Sequence, residues 1–231
     1  VVWLYLKWAT PALVRMIHGA GIAVGLVWET TAQRALLGSS AGSEDGHAAL
    51  MAASKLGYLP SNVALAFTAD FDEQASQDAA VLAYGRAFTL ACAPQPTVVY
   101  GNGATCRLCK VSGCATYSWL AGGSGMRETR EYAASGDADI IQDVGDRQHE
   151  ALGISIDSDT VKDPTAPFAW HPDPGQAQPA QPTPATDAGT LPADPRVLQA
   201  FLRSQGLYSG AIDGIVGPAT LAAVAAFYAR F

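Results

Sequence analysis

Short apolar runs that alternate with helical stretches constrain this chain more than any other feature. The predicted strands cover residues 1–6, 22–28, 63–69, 97–100, 138–142 and 154–156, and the predicted helices cover residues 11–19, 45–56 and 77–92. Strands that are apolar on both faces and separated by helices indicate a parallel sheet with helical crossovers. A TIM barrel and an open doubly wound sheet both fit this pattern, and the Gly-rich residues 101–136 stay unassigned.

A linker divides the chain. Residues 172–193 consist mainly of Pro, Ala, Gln and Thr and lack the large apolar side chains that a core needs. We therefore predict an α/β domain over residues 1–171, a semi-rigid linker over residues 172–193 and a small all-α module over residues 194–231. In that module, Asp194 is predicted to cap a helix that begins at Pro195, and Pro218 is predicted to open a second helix.

Charge and motifs exclude several classes of function. The formal net charge is −7 and the isoelectric point is about 4.9, so the chain is expected to repel nucleic acid. No apolar run is long enough for a membrane span. The sequence has no glycine-rich dinucleotide-binding loop and no clustered histidines, so we expect no cofactor and no metal. The chain opens within an apolar strand and without Met, so we expect its true start to lie upstream.

The cysteines leave three alternatives open. Cys106, Cys109 and Cys114 form a C-x2-C-x4-C pattern, and Cys92 precedes them. Disulfides in an extracellular protein, free thiols and a zinc site are each compatible with this spacing, although a structural zinc site usually has a second paired cluster.

Acidic residues follow several predicted strands. Glu29, Asp70, Asp72 and Asp157 are the predicted catalytic acids, because the carboxyl ends of parallel strands meet at one rim and glycoside hydrolysis uses two carboxyl groups there. Asp70 and Asp72 are two apart, so on a strand they would share a face and their crowding would raise one pKa. The simpler alternative is that such residues cap helices or form turns.

Three further strand-end residues are predicted to contact substrate, namely Trp28, Tyr100 and Gln142. They occupy the same rim as the acids if the parallel sheet is correct.

The segments Gly21–Glu29, Gly46–Gly57 and Phe67–Asp72 resemble the glycoside-hydrolase-like TIM barrels of domain-of-unknown-function family 1906. Weaker likenesses at residues 98–101, 141–142 and 156–157 keep the family order, so the resemblance covers most of residues 1–165. It implies a TIM-barrel-like fold that begins here at the second strand. These barrels are similar to family 25 muramidases, which implies that Asp70 and Asp72 form the central acid pair. The family 25 motif is Asp-x-Glu, so Asp72 is one methylene shorter than the motif requires.

The last residues resemble a type 1 peptidoglycan-binding domain. The pattern includes Leu198, the Gln205–Tyr208 run, Asp213-Gly214 and Gly217. The resemblance implies a wall ligand, and Tyr208, expected to be exposed, and the loop at residues 212–215 are the predicted contacts.

Together these features favour a peptidoglycan glycoside hydrolase, either a phage endolysin or a secreted remodelling enzyme, located outside the cell or at the wall. A non-catalytic wall-binding protein of a virion or envelope, with a degenerate barrel, is the alternative. An unrelated α/β enzyme with a wall anchor is a third hypothesis.

Overall fold

The computed structural model describes residues 1–57, 63–123, 125–143, 147–149, 154–156, 158–163, 169–171, 195–204, 206–215, 219–220, 222–223 and 226. The chain divides into two compact units, residues 1–179 and residues 180–231. This division falls inside the predicted linker, whose residues lie outside the described ones, so the linker bounds stay a prediction.

The first unit alternates strands and helices. Its strands are β1 Val2–Tyr5, β2 Val24–Trp28, β3 Leu65–Thr68, β4 Thr97–Gly101, β5 Tyr117–Leu120, β6 Ile140–Gln142, β7 Arg147–His149, β8 Ile154–Ile156 and β9 Asp159–Val161. Its helices are α1 Pro11–Gly19, a 3-10 turn Arg34–Leu37, α2 Gly38–Ser54, α3 Asp78–Cys92, α4 Gly103–Ser112 and α5 Thr129–Ser135. The helix α6 Pro195–Ser204 belongs to the second unit.

The main sheet has the strand order β1-β2-β3-β4-β5-β6-β9, and the first six strands are parallel. Each of these six pairs with the next one along the chain, which is the order of a TIM barrel and not the reversing order of a doubly wound sheet. The structure therefore decides between the two architectures that the sequence left open, in favour of the barrel-like one.

Two predictions about strands were wrong. The strand at Ile154–Ile156 was expected to join the parallel sheet, but it pairs antiparallel with β7 in a separate hairpin. The strand that follows β6 in the sheet is instead β9, which runs antiparallel and was not predicted. Three-residue strands carry too few side chains for periodicity to show how they pair.

Aromatic stacking across the inner face shows that the sheet curls. The ring of Trp3 on β1 stacks on that of Trp119 on β5, with centroids 4.5 Å apart and planes 25° apart. In a flat sheet, strands four places apart would be separated by about 19 Å. Gly25 permits the arrangement, because a Cβ there would lie 2.2 Å from the Trp3 ring. The inner face is thus filled, as in a barrel core.

A second core lies between the sheet and helices α2 and α3. Phe67 of β3 packs against Phe88 of α3 with ring centroids 5.1 Å apart, and both side chains are fully buried. The two helices approach closely at Gly42, where a Cβ would lie 2.2 Å from the carbonyl oxygen of Tyr84. This packing holds the two helices against the outer face of the sheet. The carboxyl ends of the strands are where we look for a functional site.

Within the described residues, no helix combines the length and apolar character of a membrane span.

In the second unit, helix α6 begins at Pro195, as predicted, and Gly206, two residues after the helix, adopts the left-handed conformation with φ of 69°. Residues 219–220, 222–223 and 226 are helical. Pro218 lies outside the described residues, so the all-α character of the whole module stays a prediction.

Candidate active site

Glu29 and Asp70 lie at the carboxyl ends of the neighbouring strands β2 and β3. Glu29 directly follows β2, and Asp70 comes two residues after Thr68, the last residue of β3. Val27, two residues before Glu29, packs in the inner core, so the alternation of the strand places Glu29 on the inner side. The Thr68 hydroxyl hydrogen-bonds the Glu29 carboxylate. The curled sheet thus brings these two acids together at its rim.

The surroundings of Glu29 favour its protonated form. Burial raises the pKa of Glu29 above its ordinary value, and the negative charge of Asp70 raises it further. The hydrogen bond from Thr68 opposes both effects. A half-buried carboxyl group with a raised pKa beside a second carboxylate is the arrangement that divides acid and base roles in glycosidases.

Asp72 lies differently from the sequence expectation. Strand β3 ends at Thr68, so Asp70 and Asp72 do not share a strand face. The Asp72 carboxylate accepts hydrogen bonds from the backbone N–H of Arg127 at 2.7 Å, from Asn102 at 3.2 Å and from Gln74 at 3.1 Å. The Arg127 N–H in particular lowers the pKa of Asp72. The sequence predicted that repulsion between Asp70 and Asp72 would raise the pKa of one of them. In the structure, three hydrogen-bond donors instead stabilise the ionised form of Asp72.

Tyr100 and Gln142, both predicted to contact substrate, lie next to each other in the structure. The Tyr100 hydroxyl donates to Oε1 of Gln142 at 2.9 Å, and the backbone N–H of Gly122 donates to the same oxygen at 3.1 Å. The Tyr100 ring meets Trp119 edge to face, with centroids 5.0 Å apart. Two donors on one oxygen fix the orientation of the Gln142 amide, which suits it to hydrogen-bonding a hydroxyl-rich ligand.

Trp28 faces the other side of the sheet. It packs against the core under helices α2 and α3, together with Val24 and Leu26 of the same strand. Its indole N–H is buried and finds no acceptor in the described part of the chain. Residues 24, 26 and 28 share the face opposite Val27, so Trp28, predicted as a substrate contact, does not share the side of Glu29.

A buried ionic cluster next to the rim was missed. Arg127 bonds Glu73 at 2.9 Å and Asp78 at 2.6 Å through the same nitrogen, Nη1. Glu73 is fully buried, and burial, followed by the neighbouring Asp78, raises the pKa of Glu73 to about 8. Arg127, followed by Glu73, lowers the pKa of Asp78.

Asn102 links this cluster to helix α4. Its Oδ1 caps the helix by accepting from the N–H of Thr105 at 2.9 Å, and its Nδ2 donates to Asp72 and to the carbonyl of Glu73. Because Glu73 directly follows the acidic motif, the sequence could have identified it as a candidate for this cluster. Arg127 lies in the unassigned Gly-rich stretch, where no sequence pattern points to it.

A family model described as "Rv2525c-like, glycoside hydrolase-like domain" matches residues 3–171. The chain belongs to this family. Two solved structures share the fold of this Rv2525c-like chain, both of the Mycobacterium tuberculosis Tat-secreted protein Rv2525c. The structure in complex with L-tartrate has a TM-score of 0.62 and the one in complex with HEPES has a TM-score of 0.61. Each is 18% identical, and each match covers 73% of this chain and 87% of the other. No curated protein matches the chain.

The remaining predicted contacts lie outside this rim. Asp157 is outside the described residues. Tyr208, beyond the stretch that the family matches, was expected to be exposed, but it is only 7% exposed. Its hydroxyl donates to the carbonyl of Ala211 at 2.7 Å and accepts from Gln199 at 3.2 Å. The ring fills the small core, whereas Ile215 in the adjoining loop is 67% exposed.

In the described ranges, no three His, Cys, Asp or Glu side chains converge in a way that would hold a metal ion.

Proposed function

We propose that this Rv2525c-like domain hydrolyses glycosidic bonds of peptidoglycan, with Glu29 as the general acid. The observation that carries the proposal is the half-buried Glu29, with its raised pKa, beside Asp70 on the rim of a glycoside-hydrolase-like barrel. Asp70 acts as the second carboxylate, and Asp157, which lies outside the described residues, stays a further candidate.

Asp72 takes a positioning role in this proposal, because its three donors tie the loop after β3 to Asn102 and residue 127. Tyr100 and Gln142 bind substrate hydroxyl groups. The second unit supplies a wall-binding module, and a tether to the wall raises the local substrate concentration for the barrel.

Export is part of the proposal. The M. tuberculosis neighbour is described as Tat-secreted, and peptidoglycan lies outside the cytoplasmic membrane. An endolysin acting on a host wall and a secreted remodelling enzyme both meet this requirement.

The test measures new reducing ends released from purified peptidoglycan by the full chain and by Glu29→Gln and Asp70→Asn variants. We expect each variant to lose about 100-fold or more in rate, because a positioned acid or base typically contributes that much. Glu131→Gln, an exposed acid on α5, is the matched control and should keep full activity. Circular dichroism establishes that each variant is folded.

A second substrate separates the two roles. An aryl glycoside whose leaving group needs no protonation should be cleaved by Glu29→Gln almost as well as by the parent, whereas Asp70→Asn should remain inactive. Equal loss in both variants on this substrate would contradict the assignment of Glu29 as the acid.

The alternative function is a non-catalytic wall-binding protein. The donor-saturated Asp72, in place of the expected longer acid, is the observation that favours it. A folded parent that sediments with peptidoglycan but releases no reducing ends would establish the alternative and refute hydrolysis.

A further inference from the structure

Helix α4 ends in a motif that brings two cysteines together. Gly113 adopts the left-handed conformation, with φ of 70° and ψ of 17°. Its N–H bonds the carbonyl of Lys110 at 3.2 Å, and the N–H of Cys114 bonds the carbonyl of Cys109 at 3.0 Å. These two bonds define a Schellman motif, which is frequently accompanied by a contact between the side chains of the two outer residues. Here those outer residues are Cys109 and Cys114.

The geometry of this helix end fits a disulfide. The bond from the N–H of Cys114 to the carbonyl of Cys109 draws the two backbones together, as a disulfide requires, since disulfides join Cα atoms roughly 4.4–6.8 Å apart. In the structure both are free thiols in the same core, close enough that Cys109 lowers the pKa of Cys114. Both side chains are fully buried in the same core, so neither has another route to a partner outside the fold.

The other two cysteines lie in different surroundings. The Cys92 thiol donates to the carbonyl of Gly46 at 3.4 Å. Cys106 packs in a separate core, where its thiol faces the carbonyls of Gly101 and Trp119, each at 3.5 Å. Cys106 therefore does not complete a cluster of three thiolates, which argues against the zinc alternative for this pattern.

We propose that Cys109 and Cys114 form a disulfide that closes the C-terminal end of helix α4 when the chain folds under oxidising conditions. The oxidant is a low-molecular-weight disulfide such as oxidised glutathione. One protein thiolate attacks it, forming a mixed disulfide and releasing one glutathione. The second protein thiol displaces the second glutathione and completes the protein S–S bond, so that two thiols and one disulfide become one disulfide and two thiols.

The test refolds the full chain from the reduced, denatured state in a glutathione redox buffer, then alkylates it under denaturing conditions and digests it with trypsin. Cleavage after Arg107, Lys110 and Arg127 places Cys109 in peptide 108–110 and Cys114 in peptide 111–127, whereas Cys92 and Cys106 share peptide 87–107. We expect a disulfide-linked pair of peptides 108–110 and 111–127, with both thiols of peptide 87–107 alkylated.

Matched variants complete the test. Cys92→Ser should keep the linked pair, and Cys109→Ser should abolish it and leave three alkylated thiols. The oxidised parent should also unfold about 5 °C higher than the reduced parent, a difference that Cys109→Ser removes. Four alkylated thiols in the refolded parent, or a link from peptide 87–107 to any other peptide, would overturn the proposal.

Discussion

Replacing Trp119 with Ala tests whether the stacking across the inner face holds the sheet in its curled form. Trp119 is 8% exposed, stacks on Trp3, meets Tyr100 edge to face and donates its indole N–H to Asp159 at 2.7 Å. Truncation of a buried aromatic side chain typically costs 3–5 kcal/mol, and the two ring contacts and the bond to a carboxylate place this site toward the upper half of that range. We expect a loss of about 4 kcal/mol in the free energy of unfolding.

The chain contains its own control for this substitution. Trp8 is 42% exposed, contacts Tyr5 and lies under Lys7, so Trp8→Ala should cost less than about 1 kcal/mol. Urea denaturation and thermal denaturation, both followed by far-UV circular dichroism, compare the two variants with the parent. The midpoint temperature of Trp119→Ala should fall by about 10 °C. Equal, small losses in the two variants would refute the idea that the Trp3–Trp119 stack is an energetic brace of the fold.

Three further predictions concern single contacts. Tyr100→Phe removes the hydroxyl donor to Gln142, so KM for peptidoglycan should rise about three- to tenfold with little change in kcat, and equal losses in both would contradict a binding role. The pKa of Glu73 in the folded state is raised to about 8, so between pH 4.5 and pH 8 the folded state holds a proton that the unfolded state has lost. The free energy of unfolding should therefore fall between about pH 5 and pH 8 and then level off. Glu73→Gln should flatten that part of the pH profile of stability, measured by denaturation. Gln199→Ala removes a buried amide that bonds Asp213, the Ile215 carbonyl and the N–H of Gly214, so limited proteolysis should cut the second unit while the first stays intact; a resistant second unit would contradict this.

Hydrophobic periodicity predicted the first half of the barrel well. Strands β1 to β4 and helix α1 lie within a residue or two of the expected positions, because their side chains alternate between two apolar cores. The start of α2 was missed by seven residues. Its first turns are built from small and polar residues, and Gly42 is required for close packing on α3, so they carry no apolar stripe.

The stretch of residues 101–136 resisted prediction for a different reason. Its helices and strand are held by polar groups that sequence patterns do not identify as core. Ser118 of β5 is fully buried and bonds Asp139, and Thr105 and Asn102 of the helix start are buried as well. Because its buried polar groups are hydrogen-bonded, this segment forms helices and a strand although its composition is typical of a loop.

The candidate site was predicted in part because strand ends can be read from sequence, whereas loop contacts cannot. Glu29 follows an apolar strand and was found by that rule. Asp72 was assigned to a strand that ends four residues earlier, and its partner Arg127 lies 55 positions away in sequence. No local pattern predicts a bond of that span.

The same contacts explain why the acidic motif after β3 divides into two parts. Asp70 precedes the point where the chain turns toward Asn102 and Arg127, so its charge acts on Glu29. Asp72 and Glu73 follow that point and are held by the two ends of the 102–127 segment. If the Arg127 side chain were lost, Glu73 and Asp78 would face each other without a cation, and the loop that carries Asp70 would keep only its bonds through Asp72 and Asn102. The position of Asp70 beside Glu29 therefore depends on an ion cluster that does not itself contact Glu29. An Arg127→Gln variant should lose hydrolysis because Asp70 is displaced, while Glu29 and the curled sheet remain in place.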